Sequence, residues 1–277
     1  MSATSTPAPT LTVQGVEVPL VGYGTWEVTG DDCVRGVRHA LDVGYRHLDT
    51  AQIYGNEAEV GRALAESGVD RDEVFLTTKV WFQRAAADDV VTSTEESLRE
   101  LGVDHLDLLL IHWPTDVAPV EETLEAMHAL QQRGLTRLIG VSNYPSALLR
   151  RAFEIAPIAT DQVEYHPMLS QAPVLEVLRE HDAFLTAYSP LAHGAALGDE
   201  TLDRIAEAHG VTGPQVALRW LLQQDRVVPL PRSRTPEHIT ANLDVFGFEL
   251  TDDEVAAIDA LPKDRRQIDP GFAPDWD

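Results

Sequence analysis

The sequence has few of the devices by which small, secreted or membrane-bound proteins hold themselves together. One cysteine, Cys33, occurs in 277 residues, so no internal disulfide can form and no thiolate cluster can hold a metal. No apolar run approaches the roughly 18 residues of a membrane-spanning helix. Neither G-x-G-x-x-G after a strand nor G-x-x-x-x-G-K-[ST] is present, which removes the two common phosphate-cradling loops. Gly22 and Gly24 in VGYGTW lack the third glycine and the helix start that should follow. The histidines include no H-x-x-x-H pair, and no metal site is expected. MSATSTPAPT at the start lacks the charged and apolar regions of a secretion signal. The expectation is a cytoplasmic protein with a loose N-terminus over residues 1–10 and one domain over 11–277.

Lysine is nearly missing as well. Of 21 basic residues only Lys79 and Lys263 are Lys, and against 45 acidic residues they leave a formal net charge of −24. Such a surface repels phosphate backbones and anionic lipid, so neither nucleic acid nor membrane is an expected partner. The acids are spread along the chain, as on a solvated surface rather than in an acidic tail. An arginine-favouring genome or a high-salt cytoplasm would each explain the bias; the second, slightly favoured, predicts better folding and activity in concentrated KCl. Lys79 stands out because it lies inside an apolar segment. There an ammonium's chemistry is required, since Arg can neither lose its proton nor act as a compact point charge.

What is present alternates. LTVQGVEVPL (11–20) reads as a hairpin about Gln14-Gly15. Strand-like runs follow at Leu20–Gly22, Arg46–Leu48, Val74–Lys79, Leu106–His112, Arg137–Val141, Thr160–Glu164, Phe184–Tyr188 and Val227–Leu230, separated by amphipathic stretches. One such stretch carries Val34, Val37 and Leu41 on one face. No linker or composition shift divides the chain. Eight strands alternating with helices predict an α/β fold, a parallel (β/α)8 barrel (TIM barrel) with an N-terminal β-hairpin; an open doubly wound sheet is the alternative. Polar residues at successive strand ends favour the barrel, because a barrel gathers the C-terminal ends of its strands at one mouth.

Asp49, Tyr54, Lys79 and His112 form the informative set. If adjacent strands deliver them to one mouth, Asp49 holds Lys79, and the ammonium with His112 lowers the pKa of the Tyr54 phenol, ordinarily near ~10. Each residue alone has a plainer explanation: a turn tyrosine, a structural ion pair, a core histidine. Together, at strand ends, they point to general acid chemistry.

These residues lie in segments that resemble the aldo-keto reductases from about residue 11 to 272. GYRHLDTAQIYGNE (44–57) is similar to that family's first signature, and LTTKVW (76–81), LLLIHWP (108–114), IGVSNY (139–144), QVEYHP (162–167), YSPL (188–191) and VPLPRSRTPEHITANL (228–243) follow in family order. Within the family the chain is most similar to the bacterial branch of 2,5-diketo-gluconate and small α-dicarbonyl reductases. The resemblance implies hydride transfer from a reduced nicotinamide to an aldehyde or ketone. It implies Tyr54 as proton donor, Lys79 and Asp49 tuning it, and His112 orienting the carbonyl. For the cofactor it implies Thr25 and Trp26 on the ribose side, Ser142, Asn143 and Gln162 at the carboxamide, and Tyr188 stacked on the ring. Ser189 and Leu191 match the pyrophosphate strap. At the adenosine end, Arg232, Ser233 and Arg234 are suited to a 2′-phosphate, with Asn242 at the adenine. His238 replaces the usual Arg there, so NADPH is expected with measurable use of NADH.

Trp26, Trp81 and Trp113, with Tyr23 and Phe82, are expected to wall the substrate pocket, and Phe272 or Trp276 of the tail to reach it. The family default is a monomer. Two competing functions share the residues: an aldolase with Lys79 as Schiff-base nucleophile, and a non-catalytic nicotinamide-binding regulatory subunit.

Overall fold

Strands β1 (Thr10–Val13) and β2 (Val16–Pro19) pair antiparallel. The turn between them, Gln14-Gly15, takes φ values of 49° and 79°, the double left-handed geometry that matches the twist of a tight hairpin. The computed structural model describes residues 8–194 and 198–277; the expected loose N-terminus lies outside the described residues for positions 1–7. Leu20 N donates to Pro9 O at 2.8 Å, so residues beside the hairpin are bonded into it.

Eight strands make the main sheet: β3 (Tyr23–Gly24), β4 (His47–Asp49), β5 (Phe75–Val80), β6 (Leu106–Ile111), β7 (Thr136–Ser142), β8 (Ile158–Glu164), β9 (Phe184–Tyr188) and β10 (Val227–Pro229). They neighbour one another in chain order, and every pairing is parallel. A doubly wound sheet would reverse its order at a switch point; this order never reverses. Gly22 N donates to Pro229 O at 3.0 Å and Gly24 N to Pro231 O at 3.1 Å, which draws the two edges of the curled sheet together. The first strand was expected at Leu20–Gly22 and lies at Tyr23–Gly24. Leu20 is held by the hairpin, and only from Tyr23 does the chain run beside Leu48.

Helices α1 (Gly30–Val43), α2 (Glu57–Ser67), α3 (Ala87–Leu101), α4 (Val120–Gln132), α5 (Ser146–Ile155) and α6 (Ala172–Glu180) each join consecutive strands. The crossover to β10 contains two, α7 (Glu200–His209) and α8 (Gly213–Leu222), and α9 (Pro236–Leu243) and α10 (Asp252–Asp259) follow it. The crossover helices turn apolar faces inward; Val34, Val37 and Leu41 of α1 are buried. Helices α2 and α3 approach closely because Gly61 has no side chain: a Cβ there would lie 2.2 Å from Leu101 O. Among the described residues, no helix is long and apolar enough to cross a membrane.

The inside of the curled sheet has two ends. Val13, Val16 and Val18 of the hairpin pack on Phe75, Leu108, Leu110, Leu138, Phe184 and Val228 and close the floor. The C-terminal ends of the strands form the opposite, open end.

Candidate active site

Strand β4 delivers Asp49 to the open end, and the chain then turns through Thr50 into a single 3-10 turn, Gln52–Tyr54, ended by Gly55 at φ 62°. Asn56 fixes this loop: its amide donates to Thr25 O at 3.0 Å and Val28 O at 2.8 Å, and its oxygen accepts from Thr50 Oγ1 at 2.7 Å. Strand β5 is buried throughout and carries Lys79 at its penultimate position. His112 follows β6, its amide bonded to Val80 O at 3.0 Å.

These elements bring the four residues together. Lys79 Nζ donates to Asp49 Oδ1 at 2.6 Å, to Thr50 O at 2.9 Å and to the Tyr54 hydroxyl at 3.3 Å. The second Asp49 oxygen accepts from Gln162 Nε2 at 2.8 Å. A buried ion pair is tolerable only when its remaining donors and acceptors are satisfied, and here they are. The Tyr54 and His112 rings meet edge to face at 5.6 Å. No ring nitrogen of His112 has a partner among the described residues, and Nδ1 is buried.

Aromatic rings surround this centre. Trp26 lies 4.8 Å from Tyr54, Trp81 lies 5.4 Å from His112, and Phe272 of the tail packs on Phe82, Trp113 and Trp81 at 4.7, 5.3 and 5.8 Å. Trp276 lies 6.1 Å from Trp113 with the Arg266 guanidinium over its face.

The Aldo/keto reductase family matches residues 20–263. The chain is 41% identical over 266 residues to methylglyoxal reductase DkgB of Escherichia coli O157:H7, covering 94% of this chain and 99% of that one. A crystal structure assigned as 2,5-diketo-D-gluconic acid reductase B superposes with a TM-score of 0.95 at 43% identity over 98% of both chains. An aldo-keto reductase of Bombyx mori, solved in complex with NADP, superposes at 0.89 with 34% identity over 98% of both. The chain belongs to the aldo/keto reductase family. It is a carbonyl oxidoreductase.

The charge states at the centre of this aldo/keto reductase differ from the sequence expectation in one respect. Burial, and then the Asp49 carboxylate, hold the Tyr54 phenol well above its usual range. The expected lowering by Lys79 is outweighed, because the ammonium already faces Asp49. Burial lowers Lys79, opposed by Asp49, and burial with the Lys79 charge pushes His112 well down. At neutral pH the centre therefore holds a protonated phenol beside a neutral imidazole.

Ser142 ends β7 and Asn143 follows it, both beside Gln162 of β8. Ser142 donates to Gln162 O at 2.7 Å, and Asn143 donates to His112 O at 3.0 Å and accepts from the Tyr188 hydroxyl at 2.7 Å. Gln162 Oε1 has no partner among the described residues. Thr25 is fully buried, its hydroxyl committed to Asp49 O at 2.9 Å, so it braces the loop from behind. Ser189 meets the exposed His193 at 3.0 Å, and Leu191 packs partly into the outer core. Arg232 and Arg234, after β10, both turn to Glu27: Arg232 to its carboxylate at 3.5 Å, Arg234 to its carbonyl. Ser233 accepts from Thr235 N at 3.0 Å. His238 is exposed and Asn242 buried, one turn apart on α9.

Tyr23 is a correction. Its ring is buried between β3 and α1, 5.9 Å from Tyr45, and its hydroxyl donates to Ser233 O at 2.8 Å. It faces the helices because its neighbour Gly24 takes the inward position, so it cannot wall the pocket.

Two carboxylates went unnoticed in the sequence. Glu164, fully buried at the end of β8, accepts from Gln267 N and Ile268 N at 2.8 Å and from His166 at 2.9 Å, and so ties the tail to the sheet. Glu57, at the start of α2, accepts from Thr78 and Ser97. Both stand inside the quoted segments, GYRHLDTAQIYGNE and QVEYHP, which was the available signal.

Proposed function

We propose that the protein reduces aldehyde and ketone carbonyls to alcohols with NADPH, Tyr54 delivering the proton. The observation that carries this reading is the Tyr54 hydroxyl. It accepts a bond from Lys79 at 3.3 Å, and no described residue accepts its own proton. A held, protonated phenol with its proton uncommitted is what a carbonyl oxygen needs as charge develops on it. Lys79, having donated all three protons, stabilises the phenolate left behind; the same bonding leaves it no lone pair for Schiff-base attack. Asp49 and Gln162 keep the ammonium in place, and the neutral His112 can donate one ring N–H to orient the carbonyl. Trp26, Trp81, Trp113 and Phe272 exclude water from the reacting centre.

A reduced nicotinamide supplies the hydride when bound. The donor set present suits it: Gln162 Oε1 is an uncommitted acceptor, and Ser142 and Asn143 can exchange partners with an amide. Tyr188 stands beside them to stack, with Ser189 and Leu191 along the diphosphate. Arg232, Ser233 and Arg234, with His238 on α9, receive the 2′-phosphate, and Asn242 meets the adenine. Arg232 has only a long ion pair to give up for it. Glu27 opposes that phosphate, so NADH is used as well. In this reading the curled sheet is a closed (β/α)8 barrel within one domain over residues 11–277, acting as a cytoplasmic monomer whose acid-rich surface suits high salt.

The test is oxidation of NADPH and NADH by purified protein with methylglyoxal, a diketo sugar acid and an aromatic aldehyde, in dilute and molar-range KCl. Turnover faster with NADPH is expected. Cofactor binding without turnover for every carbonyl would sink the proposal.

A further inference from the structure

On the helix side of β5, a directed chain of hydrogen bonds ends on a carboxylate that the reaction above does not use. Thr78 and Lys79 point to opposite faces of the strand, so Thr78 meets α2 and α3 while Lys79 faces the interior. Thr78 Oγ1 donates to Glu57 Oε1 at 2.5 Å, and Ser97 Oγ donates to Glu57 Oε2 at 3.2 Å. Ser97 Oγ in turn accepts from Gln52 Nε2 at 3.2 Å. Gln52 Oε1 then accepts the main-chain N–H of Trp81 at 3.1 Å. Glu57 and Ser97 are 4% and 1% exposed, so bulk water does not complete these bonds. The close approach of α2 to α3 at Gly61 holds Glu57 and Ser97 within reach of each other.

The direction of every bond follows from the carboxylate. An ionised Glu accepts only, so the Ser97 hydroxyl must spend its proton on it. The Ser97 lone pair is then left for a donor, which turns the NH2 end of Gln52 toward Ser97. The amide oxygen consequently faces Trp81. Reversing any one link misplaces the next, because buried polar networks stabilise only when every member is satisfied. Burial raises the Glu57 carboxyl, opposed by the bonds from Thr78 and Ser97 and by the charge of Lys79 across the strand.

The geometry points to Glu57 as a positioning residue for substrate: through Ser97 and Gln52 its carboxylate fixes the main chain at Trp81, and with it the indole packed on His112 and Phe272. The inference rests on the carbonyl reductase reading, in which Trp81 is a pocket wall. It makes Glu57 a determinant of specificity toward bulky carbonyls, without contact to them.

Four variants test it: Glu57→Gln, Ser97→Ala, the double variant, and Thr78→Val. Glu57→Gln leaves one acceptor oxygen for two hydroxyl donors, Thr78 and Ser97, so the carboxylate can no longer fix both bonds. KM for an aromatic aldehyde should rise about three- to thirtyfold in each of the first two, the range expected for coupled neighbours. Smaller changes are expected in kcat and NADPH affinity. The double variant should be no worse than the worse single one, because both cut the same chain. Thr78→Val removes a donor to Glu57 outside the chain to Trp81; it should lower thermal stability and leave KM unchanged. Additive effects, or an equal rise in KM for Thr78→Val, would reduce Glu57 to a structural role. Amide hydrogen exchange at Trp81 reads the same chain without turnover. It should accelerate in Glu57→Gln and Ser97→Ala, and unchanged exchange in either folded variant overturns the inference. If the wild type reduces no carbonyl, the functional reading fails, while exchange at Trp81 still decides the relay. Should Glu57→Gln not fold, Ser97→Ala carries both measurements.

Discussion

The floor and the mouth of the curled sheet are built from the same strands and the same inward alternation, yet they are opposite kinds of interior. At the floor, hairpin valines meet Phe75, Leu108 and Phe184 in an apolar cluster. Toward the C-terminal ends of the strands, Lys79, Asp49 and Gln162 are as deeply buried and all are polar. Burial at the floor stabilises the fold by roughly 25 cal/mol per Å² of apolar surface. Burial at the mouth costs stability unless each hydrogen bond is made. The difference shows where selection for stability stops and placement of a reactive group begins: the mouth tolerates a buried charge because it leaves the Tyr54 proton unspent.

Four measurements would break or sharpen that contrast. The largest effect belongs to Tyr54→Phe, which should lower kcat by about 10²–10⁴-fold while cofactor binding and melting temperature hold; a variant keeping most of its kcat would remove the proton donor from the mouth. Next is Asp49→Leu, which strands the Lys79 ammonium and should cost about 3–5 kcal/mol in denaturant unfolding. Pairing it with Lys79→Met should regain much of that stability and none of the activity. Equal stability of the single and double variants would mean that the ion pair is not the mouth's burden.

His47 marks the boundary between the two regions. It is fully buried against Phe75 at 4.8 Å, and burial drives its pKa down to about 4. Its folded pKa thus lies below its unfolded value near ~6.5. The unfolded chain binds the extra proton between those values, so stability falls as pH drops from about 6.5 to 4 and levels off below. That loss is on the order of 3 kcal/mol. Unfolding free energies across this window should show a shallower slope in His47→Asn; an identical slope would assign the loss to carboxylates. The smallest effect is at the floor: Val18→Ala should cost about 1–2 kcal/mol through a cavity, with kcat and KM untouched. A change in KM there would mean the floor and mouth are coupled.

How much of this was legible in the sequence depended on range. The strands ending in Asp49, Lys79 and His112 carry strong apolar signals, and their polar ends mark the mouth. The first strand read at Leu20–Gly22 instead of Tyr23–Gly24, because two residues have no periodicity of their own; Tyr23–Gly24 is defined by Leu48 and Asp49 beside it, and the side to which Tyr23 points was hidden. Gln162 read as an amide-binding residue, while its bond to Asp49 joins positions 113 residues apart. Glu57 looked like any acid in a helix's first turn, where a carboxylate suits the helix dipole. Only the packing of α2 against α3 turns it inward. Arg232 and Arg234 could be read as cations, but not as cations already facing Glu27.

The hairpin has one further consequence, for the order in which the chain assembles. Gln14 Nε2 donates to Pro157 O at 3.1 Å and to Ile158 O at 3.3 Å, across 143 and 144 residues. The hairpin can form as soon as it leaves the ribosome, since its pairing is local. It has no finished seat until β8 has been synthesised, and Gly22 and Gly24 wait longer still for Pro229 and Pro231. Through most of synthesis, then, the valines that later seal the floor are exposed, and the last strand to arrive completes the surface on which the first residues rest.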